Sequence, residues 1–179
     1  MKKIILTFLL VSISTLVVDA QEWIAYKSIE LGYSARFPIE PVFQTQGVPT
    51  AVGELQMKMA MATPDSEDDD NLIYSVIRSE YPAEGFNDAT DDFIKDVLDG
   101  AIEGAVTNVQ GTKIYDESVT FNKYPARYVK IEITGAFLYL NAYLVDNMIY
   151  ITQVICTPEN DKNNSIKKFQ ESFELIKVK

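Results

Sequence analysis

Phe137-Leu-Tyr-Leu-Asn-Ala-Tyr-Leu-Val145 and Met148-Ile-Tyr-Ile-Thr-Gln-Val-Ile-Cys156, separated only by Asp146-Asn147, decide how this chain folds. Successive side chains of an extended strand point to opposite faces. In the first run Phe137, Tyr139, Tyr143 and Val145 fall on one face, and Leu138, Leu140, Ala142 and Leu144 fall on the other. The second run is apolar on both faces too. A strand with two apolar faces belongs at the centre of a sheet that is covered on both sides. Asp146-Asn147 suits a tight two-residue turn, although it contains no Gly. The stretch therefore predicts an antiparallel central hairpin that needs a layer above it and a layer below.

Outward from that hairpin, strand patterns dominate. Residues 23–27, 33–37 and 42–48 are short candidates. Residues 54–62 alternate most cleanly: Leu55, Met57, Met59 and Met61 face one way, and Glu54, Gln56 and Lys58 the other. Residues 72–81 pair back across an acidic loop. Strands resume at 112–115, 117–121 and 126–133, the last setting Arg127, Val129, Ile131 and Ile133 against Tyr128, Lys130 and Glu132. Two helices interrupt them. The first, over 88–105, carries Asn87 or Asp88 as its cap, with Asp91 and Asp92 in the first turn, where negative charge suits the helix dipole. Phe93, Val97, Ala101 and Ala105 recur every fourth residue with Ile94, Leu98 and Ile102 beside them, a stripe that faces a core. Lys95, Asp96, Asp99 and Glu103 make the opposite face. The second helix spans 160–173 with Ile166, Phe169 and Phe173 inward, and a last short strand follows at 174–178. Strands joined by short connections favour antiparallel pairing. The expected fold is α+β: a mostly antiparallel sheet covered by helices.

The first twenty residues stand apart. Met1-Lys2-Lys3 is cationic, residues 4–18 are almost wholly apolar, and Val18-Asp19-Ala20 supplies a cleavage pattern of small or moderate residues. This is the layout of a secretory signal peptide. Its apolar run is shorter than the ~20 residues a membrane-spanning helix requires. The expectation is a signal peptide at 1–20, a single domain at 21–179, export to the periplasm or medium, and no stable membrane insertion afterwards.

Composition narrows the chemistry. The 179 residues hold 26 Asp+Glu against 16 Lys+Arg, a net charge of −10, with no His and one Cys. Without His neither a Ser-His-Asp site nor a His-containing zinc site can be built. The acidic balance repels nucleic-acid phosphates. Lone Cys156 ends an apolar run and reads as a buried small hydrophobe. The acidic loop, Asp65 to Asp70, supplies oxygen ligands for a cation, but Asp70 and Val76 stand where a calcium loop wants Gly and Glu. Asp92, Asp96 and Asp99 share one side of the first helix, a side that should face water rather than a cleft. Tyr139 and Tyr143, with Met57, are the candidates to line an apolar ligand pocket between sheet and helix, against the alternative that they simply pack the core.

Several segments resemble a known family. Tyr33-Ser-Ala-Arg-Phe37-Pro38-Ile-Glu-Pro41 is similar to the opening strand and turn of PsbP-like proteins. Tyr124-Pro-Ala-Arg-Tyr128 is similar to a strand entry in that superfamily. Phe169-Gln-Glu-Ser-Phe173-Glu-Leu175 is similar to its closing helix-to-strand turn. The resemblance implies an α/β/α sandwich used for binding or accessory roles, generally without catalysis and without a cofactor, and it transfers no site residue. The functional expectation is an exported, non-enzymatic binding or accessory domain acting on a protein or small-molecule partner. The alternatives are a carrier of a small apolar ligand and a hydrolase relying on carboxylates alone.

Overall fold

The computed structural model describes residues 22–50, 53–65 and 69–176. The expected signal peptide at 1–20 lies outside the described residues. In chain order the strands are β1 (Ile24–Ser28), β2 (Tyr33–Phe37), β3 (Val42–Thr50), β4 (Gly53–Ala62) and β5 (Asn71–Glu80). Helix α1 (Asp91–Asn108) follows, then β6 (Thr112–Phe121), β7 (Tyr124–Ile133), β8 (Ala136–Val145) and β9 (Met148–Cys156). Helix α2 (Asn164–Glu171) and β10 (Glu174–Leu175) close the chain. Seven strands form one sheet in the order β3-β4-β5-β9-β8-β7-β6, and β1, β2 and β10 form a second, smaller one. Among the described residues every strand pairing is antiparallel. The protein is therefore a mostly antiparallel α+β fold.

The β8–β9 hairpin lies at the centre of the large sheet. Asp146 makes its turn without Gly by adopting φ +54°, a left-handed conformation that Asp tolerates better than most residues. Alternate side chains of the hairpin feed two separate cores. Tyr139, Tyr143, Tyr150 and Val154 join a cluster with Phe37 of β2 and with Ile166 and Phe169 of α2. Leu138, Leu140, Leu144 and Ile149 join a cluster with Leu98 and Ile102 of α1. Each face of the hairpin is thus covered by one helix, as its two-sided apolar pattern requires.

Several expectations shift by a residue or more. The cap of α1 is Thr90, whose backbone is extended and whose side chain accepts from the Phe93 amide at 3.2 Å; Asn87 and Asp88 lie before it. The buried stripe runs through Leu98 and Ile102. Phe93 remains 37% exposed and leans on the ring of Phe86 instead, 5.2 Å between centroids. The expected helix over 160–173 is broken: a 3-10 turn at Pro158–Asn160 comes first, Lys162 takes φ +59°, and Asn163 then caps α2 by accepting from the Ile166 amide. The pieces at 112–115 and 117–121 are one strand, β6, with an irregularity between Lys113 and Tyr115. β4 is wet on one face only over its first half: Glu54 and Gln56 are exposed, whereas Ala60 and Ala62 on the same side are buried opposite the half-buried Met59 and Met61. Gly111 is required where it stands, because a Cβ there would run into the Ile131 side chain and the Glu132 carbonyl.

Candidate functional site

Three turns meet at one end of the large sheet and leave an open cleft of about 710 Å³. The segment Ala83 to Ala89 and the first turns of α1 form one wall, the β6–β7 hairpin forms the second, and the β8–β9 turn closes the third side. Each turn has a local cause. Phe121 pairs with Tyr124, leaving Asn122-Lys123 as the β6–β7 connection, and Asn122 adopts φ +59°. The β8–β9 turn is tied to the chain leaving β5: the Asn147 side-chain amide donates to the Tyr81 carbonyl at 2.7 Å, and the Tyr81 amide donates to the Asn147 carbonyl at 2.8 Å. Phe86 packs on Tyr81 and Phe93, which holds the first wall in place.

The cleft floor is apolar, with Phe86, Ile94, Leu98 and Leu144 among its lining residues. Its rim is polar and carries both signs: Lys95, Arg127 and Lys123 with Asp91 and Asp146, the Lys123 ammonium lying 5.1 Å from the centroid of the Tyr124 ring. A run of alternating charges holds α1 to the sheet beside it. Lys95 and Arg127 both pair with Asp99, Arg127 also grips Asp116 through Nε at 2.8 Å and Nη2 at 2.6 Å, and Lys113 joins Asp116 to Glu103. The two-point Arg127–Asp116 contact is of the geometrically specific kind. Hydrogen bonds from Lys95 and from Arg127 hold the Asp99 carboxyl below its ordinary range. The Asp99 side chain is still 34% exposed on the polar side of α1, as the helix periodicity suggested, but unlike a free surface carboxylate it is paired with two cations. An apolar floor within a polar rim suits the insertion of an apolar group from a partner or ligand.

A second constellation lies on the opposite face of the sheet. Lys130 of β7 is only 4% exposed. Its ammonium meets both oxygens of Asp161 at 2.7 and 2.8 Å and sits 3.9 Å from the centroid of the Phe137 ring. Tyr139 donates its hydroxyl to the same carboxylate at 2.5 Å. Burial pushes the Asp161 carboxyl up, but hydrogen bonds from Lys130 and Tyr139 outweigh it and leave the group below its ordinary value. Burial, then the hydrogen bond to Asp161, raise the Tyr139 phenol. Burial likewise pushes the Cys156 thiol up to about 11, Asp161 adding to the rise and Lys130 opposing it. Asp161, Tyr139 and Cys156 thus keep their neutral-pH protonation states, so none of them is poised for general acid–base or thiolate chemistry.

The residues nominated for a ligand pocket are not brought together. Tyr143 is 1% exposed and stacks on Phe173, centroids 4.9 Å apart and planes 7° from parallel. Burial pushes its phenol up to about 12. Tyr139 is spent on Asp161. Met57 stands on β4, separated from β8 by β5 and β9, a span of about 14 Å at ordinary strand spacing. The space between β8 and α2 is filled by aromatic rings, and the open cleft lies on the α1 side. In the acidic loop, residues 66–68 lie outside the described residues. Asp69 is engaged, accepting from the Tyr74 hydroxyl at 2.6 Å and from the Asn71 amide at 2.9 Å. Buried Asn71 exchanges side-chain hydrogen bonds with Asn163, the cap of α2. Among the described residues no group of at least three His, Cys, Asp or Glu is placed to hold a metal ion.

Periodicity placed Lys130 with Glu132 on a polar strand face and passed over Asp161. The only signal for the pair is the register that sets Lys130 across from Tyr139. The cleft is built from turns and offers no motif.

By structural likeness the fold is PsbP-like. The chain is similar to the solution structure of the cyanobacterial PsbP protein, CyanoP, from Synechocystis sp. PCC 6803, with a TM-score of 0.56 and 15% identity over 89% of this chain and 95% of that one. It also aligns with a Pseudomonas aeruginosa protein of unknown function described as a putative regulator, with a TM-score of 0.41 and 14% identity over 81% of this chain and 90% of that one. No family model and no curated protein matches the chain. Among the described residues no helix is long and apolar enough to cross a membrane.

Proposed function

We propose that this chain is an exported, non-enzymatic binding or accessory domain, built as a PsbP-like α/β/α sandwich, whose contact site is the cleft at the N-terminal end of α1. The observation that carries the reading is the cleft itself: a wide apolar floor within a polar rim of both signs, Lys95, Lys123 and Arg127 with Asp91 and Asp146. Its openness favours a projecting side chain or loop of a protein partner over an enclosed ligand. The net negative charge of the chain disfavours nucleic acid as its partner. Carriage of a small apolar ligand is the second reading, supported by a volume inside the range of about 300–1,000 Å³ usual for ligand sites.

Ala83→Trp tests both. Ala83 is exposed at the cleft wall, so the indole fills the cleft without disturbing either core. Wild-type chain immobilised against an extract of its source organism should retain a defined partner that A83W does not. Equal retention by both proteins removes the cleft from the proposal, and retention of nothing by the wild type removes the binding reading. Native mass spectrometry of the same sample reports a bound small molecule if the carrier reading holds. Export is tested separately by N-terminal sequencing: the exported protein should begin at Gln21, and a chain still starting at Met1 refutes cleavage.

A further inference from the structure

β3 is one outer strand of the seven-stranded sheet, and its Val42 and Phe43 are 62% and 50% exposed. Exposed edges are normally guarded by charge or irregularity. The other outer strand, β6, is guarded in this way: it carries Lys113, Asp116 and Glu117 and has a register shift after Lys113. From Pro41 to Pro49 there is no charged residue at all, in a chain of net charge −10. The segment also reads almost the same in both directions about Thr45: Pro41-Val-Phe-Gln-Thr45-Gln-Gly-Val-Pro49. The single mismatch sets Phe43 against Gly47.

We propose that β3 pairs antiparallel with β3 of a second copy of this chain, about a two-fold axis through Thr45. In that register Val42 meets Val48, Gln44 meets Gln46, Thr45 meets itself, and Phe43 meets Gly47, each contact occurring twice, as two-fold symmetry requires. Phe43 covers the bare edge glycine of the other copy, an aromatic compensation known to suit such positions. The Glu54 side chain that now lies over Gly47 is the flexible group that must swing aside. Backbone chemistry agrees with the register. Pro49 pairs with Glu54 inside the β3–β4 ladder, and a proline without N–H fits a ladder only with its nitrogen side facing out. Alternation then turns the backbone groups of Gly47, Thr45 and Phe43 outward as well. These residues exchange N–H···O bonds across the axis, while Pro41 and Pro49 cap both ends, so the seam closes on a dimer and does not propagate. A strand from an unrelated protein has no reason to match a segment mirrored about one residue; a second copy of this chain does.

Sedimentation equilibrium of the full chain tests the seam. The wild type should associate to a dimer as concentration rises. Thr45→Lys sets a cation against its own image at the axis, while making the whole chain less anionic, so general repulsion falls. Dimerisation of T45K should weaken at least tenfold with an unchanged melting midpoint in dilute solution. Thr45→Cys should cross-link to itself under mild oxidation, because opposed residues of a hydrogen-bonded pair lie about 5.5 Å apart at Cα, within disulfide range. Thr112→Cys on β6 should not. A wild type that stays monomeric up to roughly 1 mM, beyond which association is negligible, overturns the proposal. A T45K dimer of undiminished strength, or a T45C chain that fails to cross-link, does so equally.

Discussion

Asp161→Asn should destabilise the protein more than Lys130→Met, although both substitutions break the same ion pair. The difference follows from what each leaves behind. Lys130 has a side chain only 5% exposed, against 26% for Asp161. Replacing the carboxylate by an amide leaves the buried ammonium with no counter-charge, only an amide oxygen and the ring faces of Phe137 and Tyr139, 3.9 and 5.1 Å away. Breaking a buried pair from one side costs about 3–5 kcal/mol; the amide oxygen that replaces the carboxylate can still accept from the ammonium, which puts Asp161→Asn at the lower end, about 3 kcal/mol. Removing Lys130 leaves a carboxylate that is partly wet and still accepts from Tyr139, and Met replaces the buried stem; the cost should be about 1 kcal/mol, that of a hydrogen-bonded contact. In a chain of this size 1 kcal/mol moves Tm by about 2–4 °C, so Asp161→Asn should lower it by about 6–12 °C and Lys130→Met by about 2–4 °C. The double variant should be more stable than Asp161→Asn alone, because it no longer buries an unpaired charge. Urea unfolding followed by circular dichroism, with calorimetry for Tm, measures all of these. A Lys130→Met protein less stable than Asp161→Asn, or a double variant whose loss equals the sum of the singles, would refute the reasoning.

Other expectations follow from the same geometry. Asp161 and Asp99 both have folded values below the ordinary 3.8, so their stabilisation is present above that value and is lost as pH falls through the lower folded one; acid unfolding should begin below about pH 4, and the Asp161→Asn curve should be flatter there. Phe173 is 2% exposed and touches the rings of Tyr33, Phe121, Tyr143 and Tyr150. Phe173→Ala should therefore cost about 3–5 kcal/mol and Phe173→Leu much less, by the same melts. Cys156 is buried with its thiol pushed up to about 11, so a maleimide at pH 7.5 should label it only after denaturant is added; rapid labelling of the native chain would contradict the assigned packing.

The chain declares its fold through period and hides its site in turns. Strand 148–156 was legible to the residue because a two-residue period with two apolar faces has one structural use, and 137–145 began one residue late. Helix α1 was legible as a helix but not in its rotation. Phe93 and Ile94 fit neighbouring stripes equally well, and only the position of Phe86 decides that Phe93 turns outward. The α2 region misled because Asn160 to Phe173 has helical spacing while Lys162 needs a left-handed backbone. Tyr139 and Tyr143 were rightly placed on one strand face. What they meet there is decided by Asp161 and Phe173, at distances along the chain that no local pattern carries. The cleft combines the chain before α1, the β6–β7 hairpin and the β8–β9 turn, and nothing within any one of them announces the other two.

Within the large sheet, every neighbouring pair of strands is also consecutive in sequence except β5 and β9. The sheet is therefore two meanders, one on each side of α1, zipped along a single long-range border. Most of its ladder closes short loops, which are entropically cheap and quick to form; the slow event is the docking of one meander on the other. A polypeptide cleaved between Glu80 and Asp91 would divide along that same border, and its two fragments would be natural candidates for reassembly by complementation.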